Sequence, residues 1–130
     1  METTNYGFGK TVALLFAEAV AKVKDALAAE GFGQLTEIDV QAKLKEKLGI
    51  DMEPYVILGM CNPQLAHQAL SIETEIGLLL PCNVIVYEKD GAVHIAMQKP
   101  SLMLQIVQKD ELKAVADEAE KRMLAAFDAV

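Results

Sequence analysis

The chain has 130 residues and a mass of 14.1 kDa, which is the size of one domain built around a single core. Its net charge of −7 argues against a nucleic-acid partner, because binding to phosphates relies on Lys and Arg. Hydrophobic residues make up 52% of the chain and aromatic residues 5%, so the apolar content is mostly aliphatic and large for a small monomer. We therefore expect a homodimer interface or an apolar groove.

The N-terminal residues and the hydropathy pattern predict a cytoplasmic protein. Residues 1–6 carry neither the basic segment nor the apolar segment of a secretory signal. No apolar run reaches the roughly 18 to 20 residues that cross a bilayer, and Gly77 and Pro81 interrupt the densest run. We expect no membrane association, and we expect both cysteines to be reduced thiols.

Hydrophobic periodicity predicts two strands and two helices in the first part of the chain. Residues 3–8 alternate weakly and predict a short strand that ends at a glycine-rich break. Apolar residues recur every three or four positions over residues 12–30, which is typical of an amphipathic helix, and Gly31 ends that helix. A second strand and a short helix follow, over residues 32–40 and 40–48.

The second part of the chain begins with a continuous apolar run over residues 55–61, which is typical of a buried strand. Asn62-Pro63 predicts the start of a helix that runs to about residue 70, because Asn caps a first turn and Pro suits its first position. Strand character returns over residues 77–87. A turn at Asp90-Gly91 leads into a strand over residues 93–97. A short helix then starts at Pro100, and a long amphipathic helix covers residues 110–127.

This order of elements predicts an α+β fold with one domain over residues 1–130. A mixed or antiparallel sheet would be covered by the two long helices. The sequence contains no internal repeat, linker or low-complexity tract that would indicate a second unit.

Five strings occur in a specific order along the chain: Glu30-Gly31-Phe32-Gly33, Glu37-Ile38-Asp39-Val40, Leu44-Lys45-Glu46-Lys47-Leu48-Gly49, Tyr55-Val56-Ile57-Leu58-Gly59-Met60-Cys61-Asn62-Pro63 and Gly77-Leu78-Leu79-Leu80-Pro81-Cys82-Asn83-Val84. Together they resemble the domain of unknown function 302 family (DUF302) of prokaryotic proteins, over nearly the whole chain. The resemblance implies a curved, mostly antiparallel sheet packed by two long helices, similar to the TATA-binding-protein class, and a homodimer. The family has no established activity, so the resemblance implies no catalytic residues.

The two cysteines are the candidate catalytic residues. Cys61 directly precedes the predicted helix start, where the helix dipole would lower a thiol pKa from about 8.5 to a value between about 3.5 and 7.5. With Cys82 it would then form a redox dithiol, a persulfide carrier with a resolving thiol, or half of a metal site. The alternative is that both are small buried hydrophobic residues, as free cysteines commonly are.

An Asn follows each cysteine, so Asn62 and Asn83 are candidate ligand-binding residues. Their amides would bond a ligand or an oxyanion at a Cys-Asn cluster on one edge of the sheet. For Asn62 the capping role by itself fully explains the residue type and is the favoured interpretation. Asn83 caps no predicted helix, so its amide is the more informative of the two.

Two carboxylates, Glu37 and Asp39, share one face of the second predicted strand. Paired carboxylates perform acid–base chemistry when burial or mutual repulsion raises one pKa, and they also bind cations. The structural alternative is that Asp39 caps the following helix and that Glu37 pairs with a lysine.

No cofactor or metal is predicted. Cys61, Cys82, His67 and His94 are weak candidates for a zinc site, because the close ligand pairs typical of structural zinc are absent. The sequence also lacks the glycine-rich phosphate loops, the nucleophile elbow of hydrolases and the zinc-protease motif.

Three functions remain open. The first is a small cytoplasmic domain that handles thiols or binds a small ligand through the Cys-Asn cluster. The second is a non-catalytic homodimeric structural or interaction module. The third is a carrier of an apolar small molecule on a concave sheet lined by Ile57, Leu79, Val86 and Ile95.

Overall fold

The computed structural model describes residues 1–130 and contains one six-stranded sheet. The strands are β1 Glu2–Thr3, β2 Gly7–Val12, β3 Gly33–Asp39, β4 Tyr55–Cys61, β5 Cys82–Lys89 and β6 Ala92–Gln98. Their order across the sheet is β1-β2-β6-β5-β4-β3, and every neighbouring pair is antiparallel. The predicted α+β fold is therefore confirmed, and the sheet is antiparallel rather than mixed.

Five α-helices accompany the sheet: α1 Phe16–Ala29, α2 Val40–Leu48, α3 Pro63–Ile72, α4 Leu102–Val107 and α5 Lys113–Asp128. Two short 3-10 helices span Thr74–Leu79 and Asp110–Leu112. None of these helices combines the length and the apolar character that crossing a bilayer would require.

The core lies between one face of the sheet and the helices. Strand residues alternate, so that Val84, Val86 and Ile95 are fully buried on the face against which α1 packs, and α5 packs beside α1. The ring of Phe8 meets that of Phe127 from α5 edge to face, with 5.0 Å between their centroids. No helix covers the opposite sheet face, which we call the open face.

Several predicted boundaries are confirmed because local chemistry determines them. Asn62 and Asp39 each cap a helix, and Gly49 ends α2 with a left-handed φ of 68°. Asp90 and Gly91 both have positive φ, at 53° and 80°, as a tight turn between β5 and β6 requires.

The predicted first strand and the start of the first helix are wrong. Gly7 and Gly9, interpreted as a break, lie inside β2, and α1 begins at Phe16 rather than at Val12. The physical reason is close approach, since a Cβ on Gly9 would lie 2.9 Å from the Ile95 carbonyl oxygen. These glycines therefore serve strand pairing instead of ending a strand.

Two other predictions are corrected. Residues 74–79 form a 3-10 helix, so the strand predicted over residues 77–87 begins only at Cys82. The apolar set proposed for a carrier does not line one surface, because Val86 and Ile95 lie in the covered core. Ile57 lies on the open face, and Leu79 belongs to the 3-10 helix.

Candidate functional site

Both cysteines line an apolar cavity of about 290 Å³, which we call the thiol cavity. It lies where β4 ends and α3 begins, and α5 closes it through Val115 and Ala119. Thirteen of its fifteen lining residues are hydrophobic, and the other two are Asn62 and Pro81. The thiol cavity therefore joins three of the predicted site residues, Cys61, Asn62 and Cys82.

Strand register and helix capping bring these three residues together. Met60 is the pairing partner of Cys82, so Cys61 follows one position beyond that pair. β4 ends there, and the Oδ1 atom of Asn62 accepts a hydrogen bond from the backbone N–H of Leu65 at 3.2 Å. Asn62 thus both caps α3 and forms part of the cavity wall.

Asn62 is the buried polar side chain of the core, with 6% of its surface exposed. Capping occupies Oδ1, whereas Nδ2 makes no hydrogen bond within the protein and retains some contact with solvent. Gly31, at the end of α1, makes room for this amide, because a Cβ there would lie 2.9 Å from Nδ2. One hydrogen-bond donor is consequently left on a residue that lines the thiol cavity.

The predicted low pKa of Cys61 is wrong. Burial raises the pKa of the Cys61 thiol, and burial together with the neighbouring Cys61 raises the pKa of Cys82 to about 11. Loss of hydration in the apolar surroundings is the cause for Cys61 and the larger cause for Cys82. At neutral pH both groups are thiols, and neither is an activated nucleophile.

Asn83 does not join the thiol cavity. It lies on the open face, where its backbone N–H donates to the Oε1 atom of Gln98 at 3.1 Å. Strand alternation explains the separation, because Asn83 follows Cys82 and the side chains of consecutive strand residues lie on opposite faces. The predicted single Cys-Asn cluster is therefore divided between the two faces of the sheet.

Glu37 and Asp39 have the structural partners that the alternative interpretation predicts. The Nζ atom of Lys24 lies 2.6 Å from Oε1 of Glu37. Oδ1 of Asp39 accepts a hydrogen bond from the backbone N–H of Ala42 at 2.9 Å, in the first turn of α2. Neither carboxylate lines the thiol cavity.

The weakly predicted zinc site is not assembled. No group of three or more His, Cys, Asp and Glu side chains is placed to hold a metal ion. His94 lies on the open face, where its ring stacks on Tyr87 at 4.9 Å and Nδ1 bonds Oγ1 of Thr11 at 3.1 Å. His67 projects from an exposed position of α3. The tetrahedral convergence that zinc requires is thus missing.

Sequence reasoning missed the helix residues that form the remaining walls of the thiol cavity. Ala66 and Ala69 of α3 face Val115 and Ala119 of α5 across it. The small residues on α3 were the available signal, since an Ala leaves space where a Leu would fill it. Only the packing of α3 beside α5 shows that this space becomes a cavity.

Comparison with known proteins agrees with this architecture. The family described as domain of unknown function DUF302 matches residues 8–130. The crystal structure of an uncharacterized conserved DUF302 protein from Bacillus stearothermophilus superimposes with a TM-score of 0.88 and 35% sequence identity, covering 95% of this chain and 96% of that one. None of the curated proteins matches the chain. The protein therefore belongs to the DUF302 family.

Proposed function

We propose that the protein binds a small apolar molecule in the thiol cavity. The observation that carries the proposal is a cavity of about 290 Å³ in which Asn62 is the single amide among apolar walls and two thiols. Small-molecule sites are mostly apolar, start near 300 Å³ and contain few polar groups that fix orientation. The thiol cavity has this composition.

The lining determines the chemical class of the ligand. No charged side chain lines the cavity, so a charged ligand would lose its hydration without compensation. The free Nδ2 donor of Asn62 is matched by an acceptor such as a carbonyl oxygen. We therefore infer a neutral ligand with an apolar body and one hydrogen-bond acceptor.

Binding is better supported than thiol chemistry. A redox or persulfide role needs a thiolate, and burial raises the pKa of both Cys61 and Cys82. Protonated cysteines act instead as small, polarizable wall residues. Labelling of the folded protein with a thiol reagent should consequently be slow relative to the unfolded chain, and fast labelling of Cys61 at neutral pH would favour thiol chemistry.

Two matched variants, each replacing an alanine by leucine, test the proposal with methyl hexyl ketone as the probe. Ala66→Leu fills the thiol cavity, whereas Ala17→Leu adds the same bulk at an exposed position of α1. In amide NMR titrations we expect the ketone to shift Asn62 and Leu65 in the wild type and in Ala17→Leu, but not in Ala66→Leu. Equal shifts in all three proteins, or none in the wild type, would contradict the proposal.

A capping-conserved variant isolates the amide donor. Asn62→Ser keeps a capping oxygen but removes Nδ2. Loss of one hydrogen bond of about 1 kcal/mol predicts roughly fivefold weaker binding of the ketone. Octane, which has no acceptor, should bind both proteins equally well. A ketone affinity unchanged by Asn62→Ser would show that the amide does not select the ligand.

We also infer a homodimer, formed through the edge strand β3. All seven residues of β3 are exposed, and its outer edge has no partner strand within the chain. Ile38 is 44% exposed on its open-face side. Two copies related by a twofold axis would join these edges in an antiparallel pair.

Analytical ultracentrifugation tests the dimer. Ile38→Lys places a charge on the proposed edge, and Leu78→Lys places the same charge at an 85% exposed position of the 3-10 helix. We expect dimers for the wild type and for Leu78→Lys, and monomers for Ile38→Lys. A wild-type monomer at every concentration would refute the interface.

A cytoplasmic location fits both proposals. Cys61 and Cys82 are free thiols even though they line the same cavity. Unpaired thiols at such proximity suit a reducing compartment. Fractionation of cells that express a tagged chain should recover it with cytoplasmic markers, and recovery in an oxidising compartment would contradict this inference.

A further inference from the structure

The open face contains three parallel rows of residues that cross the strands. Register aligns Thr11, His94, Tyr87 and Tyr55 in the first row. The second row is Gly9, Ala96, Ile85 and Ile57. The third includes Gly7, Gln98 and Asn83, and Gly59 continues it on β4. A row of small and aliphatic residues is therefore flanked by an aromatic row and an amide row.

The side chains of these rows form a depression with two different walls. Along the first wall the rings of Tyr87 and His94 stack at 4.9 Å, and Tyr55, which lies outside the cavity lining, stacks on Tyr87 at 5.4 Å. Along the other wall the Asn83 backbone N–H donates to Oε1 of Gln98 at 3.1 Å. We call this depression, with its floor at Gly9, Ala96 and Ile85, the trough.

The floor is lowest at β2, because the glycines of that strand have no room for a side chain. A Cβ on Gly9 would lie 2.9 Å from the carbonyl oxygen of Ile95 and 3.1 Å from the Cβ of Ala96. A Cβ on Gly7 would lie 2.9 Å from the carbonyl oxygen of Met97. The resulting cavity measures about 770 Å³, within the usual range of about 300 to 1,000 Å³ for ligand sites.

The polar groups of the trough offer hydrogen bonds rather than charge. The Asn83 side-chain amide and Nε2 of Gln98 have no partner within the protein, and both residues line the cavity. The side chain of Lys10 is directed to the covered side, where Nζ donates to the carbonyl of Phe127 at 2.7 Å. Glu2 belongs to the outermost strand, at the rim. A neutral ligand with both donors and acceptors fits these walls.

We propose that the trough binds a neutral, planar heteroaromatic molecule. A flat ring can lie close to a floor of glycine backbone and alanine methyl, against the aromatic row, with its ring nitrogens and carbonyls bonded to the amide row. The net charge of −7 and the lack of a free Lys or Arg side chain on the walls argue against a phosphate-bearing polymer in this role. The trough is separate from the thiol cavity and lies on the opposite face of the sheet.

Amide NMR titrations with adenosine and riboflavin test this site, with shifts followed at Gly9, Ala96 and Asn83. Ala96→Leu raises the floor, and Asn83→Leu removes the amide but keeps the backbone bond to Gln98. We expect at least one probe to bind the wild type with a Kd below about 1 mM, and each variant to weaken it about tenfold or more. Ala17→Leu and Ala66→Leu should leave the affinity unchanged.

Binding at the trough and ketone binding at the thiol cavity are tested independently. Absence of binding by both probes, or binding that Ala96→Leu leaves intact, would overturn the trough proposal whatever the ketone does. Flavin mononucleotide adds a phosphate to riboflavin, and we expect it to bind no more tightly because the trough has no free Lys or Arg side chain. Tighter binding of the phosphate form would refute the neutral ligand class.

Discussion

Burial of the Cys82 thiol makes the stability of the fold fall at alkaline pH. An ordinary thiol has a pKa of 9.0, whereas burial and the neighbouring Cys61 raise that of Cys82 to about 11. Between these values the unfolded chain releases its proton and the folded chain retains it. The contribution is therefore fully present below pH 9 and is lost progressively as pH rises toward about 11.

The magnitude follows from the difference between the two pKa values. Each unit corresponds to about 1.4 kcal/mol, and the pKa values differ by about 2, so the free energy of unfolding should decrease by about 2.7 kcal/mol. Cys82 is 9% exposed, so little solvent screening reduces this effect. The loss is a large fraction of the stability of an ordinary domain.

Urea unfolding at fixed pH, under a phosphine reductant, measures this contribution against Cys82→Ala. Other ionisable groups titrate in both proteins, and the cost of the alanine cavity does not vary with pH. The stability difference between wild type and variant should therefore be constant below about pH 9 and shrink by about 2.7 kcal/mol as the pH rises through about 11. A difference that stays constant over this interval would refute the argument that the thiol is desolvated.

Three further substitutions test local interactions by urea unfolding. Lys10→Met removes an ammonium group that donates to the Phe127 carbonyl at 2.7 Å and lies 4.6 Å from the centroid of the Phe127 ring. We expect the free energy of unfolding to fall by about 1 to 3 kcal/mol, and an unchanged value would show that this contact adds no stability. Gly59→Ala places a Cβ against Oγ1 of Thr36 and should lower the free energy of unfolding by about 1 to 3 kcal/mol. A second substitution, Thr36→Ala, should restore part of this loss, and no restoration would show that the clash is not the cause. Asp39→Ala should cost about 1 kcal/mol and Asp39→Asn much less, whereas equal losses would exclude the cap as the reason.

The candidate site was predictable only in part. Asn62-Pro63 identifies a helix start from two residues, and Cys61 precedes that start by sequence alone. The sign of the Cys61 pKa change was not predictable, because it depends on how many apolar atoms from α3 and α5 replace water around the thiol. A helix N-terminus is visible in a sequence, but the burial that opposes its field is not.

The trough was also predictable from the sequence only in part. Alternation in β6 places His94, Ala96 and Gln98 on one face, and the sequence contains this information. The stacking of His94 on Tyr87 and the approach of Gly9 to Ile95 depend on which strands are neighbours and in which register. Those pairings join residues that are far apart in the chain.

The sequence alone determines the size, the high apolar content, the acidic charge, the α+β class and the helix caps, because these depend on composition and local chemistry. The tertiary structure decided where the apolar content lies. It distributes that content between a covered core, a cavity at the two thiols and an open sheet face. It also separated Asn83 from the cysteines, because neighbouring strand residues occupy opposite faces and only strand pairing shows which face is covered.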